Sequence, residues 1–288
     1  DTLIGGKDSE MGYDVGVRID RPATPVTDAT AFVEARVQRL DLGDWTVDKR
    51  EVSLGLTRVL SDTLTGQAAL TYSDSTATDA IGSLHYKALS LPVELTWDRR
   101  NNPVNATKGF YLNAEVVPFL GFGRTDSGAR LMTDARYYHS FGGGKRFTLA
   151  ARVQAGTVTG SGLLQTPPDY LFLSGGGGTV RGQPYQSLSI TWPRPGGGTI
   201  DTGGASFAGF SGEFRAKVTE KIGAVAFYDV GYITSSDFFG GTTQSHAGAG
   251  LGLRYDTGFG PIRLDLGMPV SGPTGDGLQV YIGIGQAF

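Results

Sequence analysis

Four consecutive glycines run into an arginine in Ser174–Leu188, "SGGGGTVRGQPYQSL", and this is the stretch most suggestive of chemistry. A phosphate-cradling loop would need Gly-Lys-Ser/Thr leading directly into a helix. Here Arg181-Gly182 leads instead into Gln183-Pro184-Tyr185 and further loop. The remaining residue types exclude more than they suggest. His85, His139 and His246 are too far apart in sequence to form a recognisable metal motif, and no serine sits in a Gly-x-Ser-x-Gly elbow. The chain has no cysteine, which removes disulfides, zinc-thiolate sites and thiol catalysis together. No catalytic residue, metal site or cofactor is expected, and the protein reads as a non-enzyme. What remains is Arg181 itself, whose planar fork suits carboxylates, with Glu213 in "GEFRAKV" and Asp229 in "AFYDVG" downstream.

The elements that would have to position these three residues are strands. In "RFTLAARVQAG" the residues Phe147, Leu149, Ala151, Val153 and Ala155 share one face, and Arg146, Thr148, Arg152 and Gln154 the other. "SGEFRAKV" sets Phe214, Ala216 and Val218 against Ser211, Glu213, Arg215 and Lys217. "PIRLDLGM" sets Ile262, Leu264, Leu266 and Met268 against Arg263 and Asp265. Period-2 alternation of this kind predicts strands, and no segment has helical periodicity. Thirteen strands are expected, over 12–20, 29–40, 47–60, 63–73, 85–98, 109–118, 129–140, 146–157, 206–218, 222–231, 244–255, 260–269 and 278–288. Most exceed the ~5–6 residues usual in soluble sheets and reach the ~9–11 that a tilted strand needs to cross a bilayer.

The alternation places the charges opposite the apolar faces, which suits lipid outside and a wet lumen inside. A soluble sandwich would account for the alternation but not for the strand length. Every second connection reads as short, while the alternate set, with 74–84, 119–128, 232–243 and the outlier 158–205, reads as longer. That asymmetry belongs to outer-membrane barrels. The Arg99–Lys108 connection is long on the short-turn side. Trp97, Phe110, Tyr111, Tyr137, Tyr138, Tyr255, Phe259 and Phe288 lie near strand ends, as in an interfacial girdle. The fold class is therefore all-β, a transmembrane antiparallel β-barrel in contact with outer-membrane lipids. A net charge of −3 gives no basic surface for nucleic acid. Asp1 begins the chain without a charged-then-apolar leader, so a mature or trimmed product is expected. Single-chain bacterial barrels have even strand numbers with both ends in the periplasm. Thirteen strands would put Asp1 outside the cell, so N-terminal strands are expected to be missing from the sequence.

On this frame Arg181 lies in the long loop, 158–205, while Glu213 and Asp229 have lumen-facing parity on the next two strands. Either the loop folds inward and Arg181 meets both acids, or Arg181 is an exposed loop arginine near two ordinary lumen carboxylates. The residues alone leave the two open. The apolar "PDYLFL" preceding the glycines favours burial of the loop.

"GGGGTVRGQPYQSL", "AFYDVG", "GFGPIRLDLGMPV" and the closing "LQVYIGIGQAF" resemble the barrel domain of the BamA/TamA superfamily of outer-membrane assembly factors. "DRRNNPVNATKGFYL" is similar to that family's long periplasmic turn, and "TPPDYLFLSGGGGTVRG" with the closing residues resembles the TamA branch. The resemblance covers essentially residues 1–288 as one C-terminal barrel domain. It implies sixteen strands with the long extracellular loop after the eleventh, so three strands and the periplasmic domains would be absent here. It further implies a loop-lock motif of Val180, Arg181, Gly182, Gln183 and Tyr185; the residue after Val-Arg-Gly is usually aromatic, whereas here it is Gln183, with Tyr185 two positions on. Arg181 would pair with Glu213 and Asp229 in the lumen. The terminal strand, with Tyr281, Gly283, Gly285 and Phe288, would carry an insertion signal and form one side of a weak seam. The implied function is insertion or translocation of client outer-membrane proteins or autotransporters, with a TamB-like periplasm-spanning partner. A two-partner secretion pore and a passive diffusion porin are the alternatives.

Overall fold

The computed structural model describes residues 12–193, 197–273, 275 and 277–288. The expected placement of Asp1 falls outside them. One antiparallel sheet dominates, built from β1 (Tyr13–Pro22), β2 (Ala29–Leu42), β3 (Trp45–Ser61), β4 (Leu64–Thr78), β5 (Ser83–Ser90), β6 (Val93–Asp98), β7 (Gly109–Phe122), β8 (Gly128–Phe141) and β9 (Phe147–Thr159). A small hairpin follows, β10 (Ile190–Pro193) and β11 (Thr199–Thr202), and stands apart from the main sheet. The sheet resumes with β12 (Ser206–Lys217), β13 (Ile222–Thr234), β14 (Thr243–Asp256), β15 (Pro261–Ser271) and β16 (Gln279–Ile284). β9 pairs directly with β12, so the 160–205 connection leaves and re-enters between neighbouring strands. β1 and β16 are the two edges, and they do not pair with each other among the described residues.

β5 and β6 are one expected strand interrupted at Leu91-Pro92. Proline has no N–H for the ladder, but the register on both neighbours is kept. Ser90 pairs with Thr71 and Val93 with Ala68, while on β7 the partners are Phe119 and Val116. With β5 and β6 joined, the sheet has the thirteen expected strands. The connections need correction. On the rim carrying the long loop, β2 turns into β3 through only Gly43 and Asp44, and β4 runs to Thr78 and β13 to Thr234. Apart from 160–205, much of the apparent loop length is strand continuing past the barrel wall.

The burial pattern is inverted relative to a soluble protein. Val15, Val33, Leu54, Leu251, Leu264 and Ile282 are exposed on the outer face, while Lys49, Glu213, Arg215, Asp229, Arg254 and Asp265 are buried inside. Apolar atoms on the outside are stable against lipid, and the inward charges must then pair or meet water. At the short-turn rim Trp97 meets Phe110 edge-on at 4.9 Å, and Phe141, Phe147 and Phe214 form a run with centroids 5.7 and 5.5 Å apart. Not every expected girdle residue is there. Tyr138 and Phe288 are buried in the lumen with Ala106 and Ala150, and Tyr111 sits under Arg100 and Arg136. Tyr137 and Tyr138 are neighbours in β8, so alternation sends one out and the other in.

The long loop is a folded roof over the lumen. Leu163, Tyr170, Leu171, Phe172, Leu188 and Ile190 pack with Phe119, Val158, Phe207 and Ile233 of the wall. Farther across, Leu164, Trp192 and Ile200 meet Trp45, Val47, Ala77 and Tyr86 on β3, β4 and β5.

Candidate functional site: the loop clamp in the lumen

Gly175, Gly176 and Gly182 have φ of +120°, +86° and +89°, values that residues with a Cβ rarely adopt. They let the loop double back, so that Gly176 N–H donates to the Gln183 carbonyl at 3.1 Å and the 176–183 tip points into the barrel. The wall has room for a backbone because it also carries glycine. A Cβ on Gly248 of β14 would collide with the Arg181 carbonyl, and one on Gly267 of β15 would stand 2.8 Å from the Gly182 nitrogen. On β13, a Cβ at Gly231 would meet Val180 Cγ2 at 2.9 Å. Val180 is fully buried there, and Ser174 Oγ lies 2.9 Å from His246 Nε2.

This docking brings Arg181, Glu213 and Asp229 together. Arg181 Nε and Nη2 donate to Asp229 Oδ2 and Oδ1 at 2.8 and 3.0 Å, and its backbone N–H donates to Oδ2 at 3.0 Å. Nη1 donates to Glu213 Oε1 and lies 3.5 Å from Asp265 Oδ2. The guanidinium covers the Phe227 ring, 3.8 Å from its centroid. Arg181 is 2% exposed. Burial works against its charged form, but the carboxylates of Glu213, Asp229 and Asp265 outweigh that and hold its pKa above the ordinary value. Two wall arginines complete the cluster. Arg215 Nε donates to Glu213 Oε2 at 2.7 Å, and Arg254 donates to both oxygens of Asp265. Within the hydrogen-bonded cluster three arginines face three acids, the pairing that holding ions out of water requires, and Arg263 of β15 adds a further positive charge beside it. Asp265, Arg215 and Arg254 were absent from the sequence-predicted set. Their signal was inward parity on β15, β12 and β14, but parity also marks many lumen residues outside the cluster.

Gln183, fully buried, fills the place where the resemblance implies an aromatic. Its Nε2 donates to the Ala247 carbonyl at 2.7 Å and the Ser271 carbonyl at 3.0 Å. The β14–β15 register shifts beside Ala247, where Pro269 pairs with Gly248 and Ser271 with Ala247. The side-chain amide therefore bridges carbonyls at a bulge, where ladder pairing is disrupted. Tyr185 is not part of the cluster. It is 59% exposed at the rim, its hydroxyl accepting from Gln186 Nε2.

The terminal strand touches the clamp at one residue. Tyr281 Oη accepts from the Gly182 N–H at 2.9 Å and donates to the Gln183 carbonyl at 3.4 Å. Gly283 faces Arg263, a Cβ there lying 2.9 Å from Nε. The strand then ends at Ile284, four residues before the expected boundary. Gly285 has φ +92° and the chain turns inward, where Gln286 N–H donates to the Val104 carbonyl at 3.1 Å. Phe288 is buried, and Arg215 Nη2 donates to its carbonyl at 3.2 Å. The expectation that Phe288 ends a lipid-facing strand is thus corrected: the closing residues lie in the lumen against the 99–108 turn.

An inward-charged, outward-apolar strand wall with a loop clamped inside it defines an outer-membrane β-barrel. The Omp85 superfamily domain matches residues 6–288, and the chain belongs to that superfamily. Among solved structures, BamA from Haemophilus ducreyi lacking POTRA domains 1–3 has a similar fold at TM-score 0.78 and 14% identity, with 93% of this chain and 61% of that one covered. CdiB from Acinetobacter baumannii matches at TM-score 0.54 and 13% identity, covering 93% of this chain and 55% of that one. CdiB from Escherichia coli matches at 0.53 and 13%, covering 94% and 52%. This chain therefore spans between about half and three-fifths of the length of these structures.

Proposed function

We propose that this chain is the barrel of an outer-membrane protein assembly factor of the TamA type, which templates the strands of client outer-membrane proteins or autotransporters at a seam bounded by β16. The chemistry is strand augmentation through backbone hydrogen bonds, with no covalent step and no cofactor. A TamB-like periplasm-spanning protein is the proposed partner. The observation that carries this reading is the hydrogen-bonded link from the clamp to the terminal strand, Gly182 to Tyr281. β16 is weakly held, with six paired positions on β15 against thirteen between β13 and β14. Above Gly267, the inner side of β15 meets the loop, with Gly182 against Met268 and Gln183 on the Ser271 carbonyl. Arg181 is thus a positioning residue. While it holds the loop, Tyr281 is tethered and the seam strand stays in register; release of the loop frees β16 to exchange partners.

Arg181→Ala leaves Asp229 and Glu213 buried without their main cation, a change that costs about 3–5 kcal/mol for a buried pair. Loop protease sensitivity should rise and client assembly should fall; a protected loop with full assembly would remove the lock role. For the seam, the cysteine-free chain allows one clean test. A disulfide between β16 and the first strand of the full-length protein should block assembly until reduced, and undiminished assembly would eliminate the gate. The fold shared with CdiB supports a second reading, export of a single client through the same barrel. An assembly factor should act on several client barrels, an exporter on one secreted partner.

A further inference from the structure

The roof has a second point of attachment, on the wall opposite Arg181. Asp169 of the loop accepts from Lys49 Nζ of β3 at 2.6 Å, and the same ammonium meets Glu51 at 2.6 Å. Lys49 is 7% exposed, and the Tyr170 ring lies 5.5 Å from Nζ. Across the gap, Arg130 Nε donates to the Tyr170 carbonyl at 3.2 Å while its Nη1 holds Glu115 at 2.8 Å. Directly beneath Asp169 and Tyr170 is a cavity of about 400 Å³ walled by Glu34, Arg36, Glu51, Gln67, Glu115 and Arg130. Asp169 Oδ1 is buried with no hydrogen-bond partner among the described residues.

The two halves of the lumen differ in wetness. Around Arg181 the inward Glu213, Arg215, Phe227, Asp229 and Asp265 are buried. On β6 to β8 the inward Glu94, Thr96, Asn113, Asp134 and Arg136 all keep partial solvent exposure. This half is polar from the cavity downward, with Asn113 Nδ2 reaching both Glu94 and Thr96, and Asp134 bound by Arg136 and Arg152. Charged, hydrogen-bonding walls with partial solvent access are those of a water-filled passage, not of a packed core.

We propose that the β2–β8 side of the lumen is an aqueous conduit for small ions, closed at its outer end by the Lys49–Asp169 latch independently of the Arg181 clamp. The latch joins two segments 120 residues apart in sequence and, among the described residues, is the ion pair between roof and wall on this side. Breaking it removes the charged hold on the Pro168–Tyr170 turn, leaving Arg130 and the packing on Phe119 to hold it, and the loosened turn opens the cavity to water from outside. The cavity walls and latch carry Glu34, Glu51, Glu115 and Asp169 against Arg36, Lys49 and Arg130, four acids to three bases, so the open path should weakly prefer cations.

Planar-bilayer recording of the full-length protein in potassium chloride tests this. Removing one partner of a buried pair shifts such an equilibrium by well over tenfold, so Lys49→Ala should raise open probability at least about tenfold over the unaltered protein. The double exchange Lys49→Asp with Asp169→Lys should return it to the resting level. Arg181→Ala, by contrast, should impair client assembly. A Lys49→Ala protein that keeps its heat-modifiable gel mobility and yet conducts like the parent would overturn the proposal. So would a double exchange that conducts like the single variants. Because the readout is ion flow, its failure leaves the assembly reading standing, and failure of the assembly assays leaves the latch standing.

Discussion

Gln183 shows how a single side chain can serve where the resemblance implies a different type. An aromatic would fill space beside the glycine wall, whereas the amide donates to two carbonyls at an irregular point of the ladder. Buried acceptors that lose their donor cost about 1–3 kcal/mol each. Gln183→Leu should therefore lower the urea midpoint of the refolded barrel in liposomes by that order, and Gln183→Glu should lower it further by setting a carboxylate against carbonyls. A midpoint unchanged in both would mean that the bulge carbonyls are served by something else. The clamp itself was only half legible at this scale. Arg181, Glu213 and Asp229 could be singled out from type and parity, but pairing required the loop to fold inward, which local sequence leaves undecided. Tyr185 illustrates the reverse, since being aromatic and near the motif did not bring it into the lumen.

At the level of elements, period-2 patterning located all thirteen wall strands, because every residue there has one neighbour in lipid and the next in the lumen. The ends were less legible. Nothing in the alternation marks where a strand leaves the membrane, so β4 and β13 continue past their expected ends into what read as loops. β10 and β11 were hidden because they pair with each other inside a glycine-rich loop instead of along the wall. The glycines of β13–β15 have a tertiary purpose that strand propensity disfavours, since the loop backbone rests on them. Gly248→Val should push the Arg181 carbonyl off β14 and expose the loop to protease as fully as Arg181→Ala does. The double variant should be no worse than either single, because both remove one docked state. Additive losses, or a protected Gly248→Val loop, would contradict the docking.

At the level of the whole molecule, the outer face is apolar and suited to lipid, while the interior is lined by charged and polar groups. Leu251, mid-strand on β14 and paired with Leu266, is 68% exposed on that outer face. An arginine at the midplane of a barrel costs about 2–4 kcal/mol, falling toward zero near the interfaces. Leu251→Arg should accordingly destabilise the liposome-refolded protein by that amount, while Phe259→Arg, in the exposed short turn after β14, should be close to neutral. Equal effects at the two positions would argue against a bilayer around this face.

Taken by itself, the sequence determined the strand count, the inward and outward faces, and the absence of thiol or metal-thiolate chemistry. These are local properties, set by residue type at a period of two. Only the tertiary structure decided that the loop crosses the lumen, that Asp265, Arg215 and Arg254 neutralise the clamp, that Lys49 holds the roof on the far wall, and that Phe288 turns inside. Each depends on contacts between segments tens of residues or more apart, where the free energy comes from pairing buried charges and burying apolar loop residues together. Arg215 with Glu213 and Arg254 with Asp265 are near neighbours in sequence, but no short window also contains the loop arginine that joins them into one cluster.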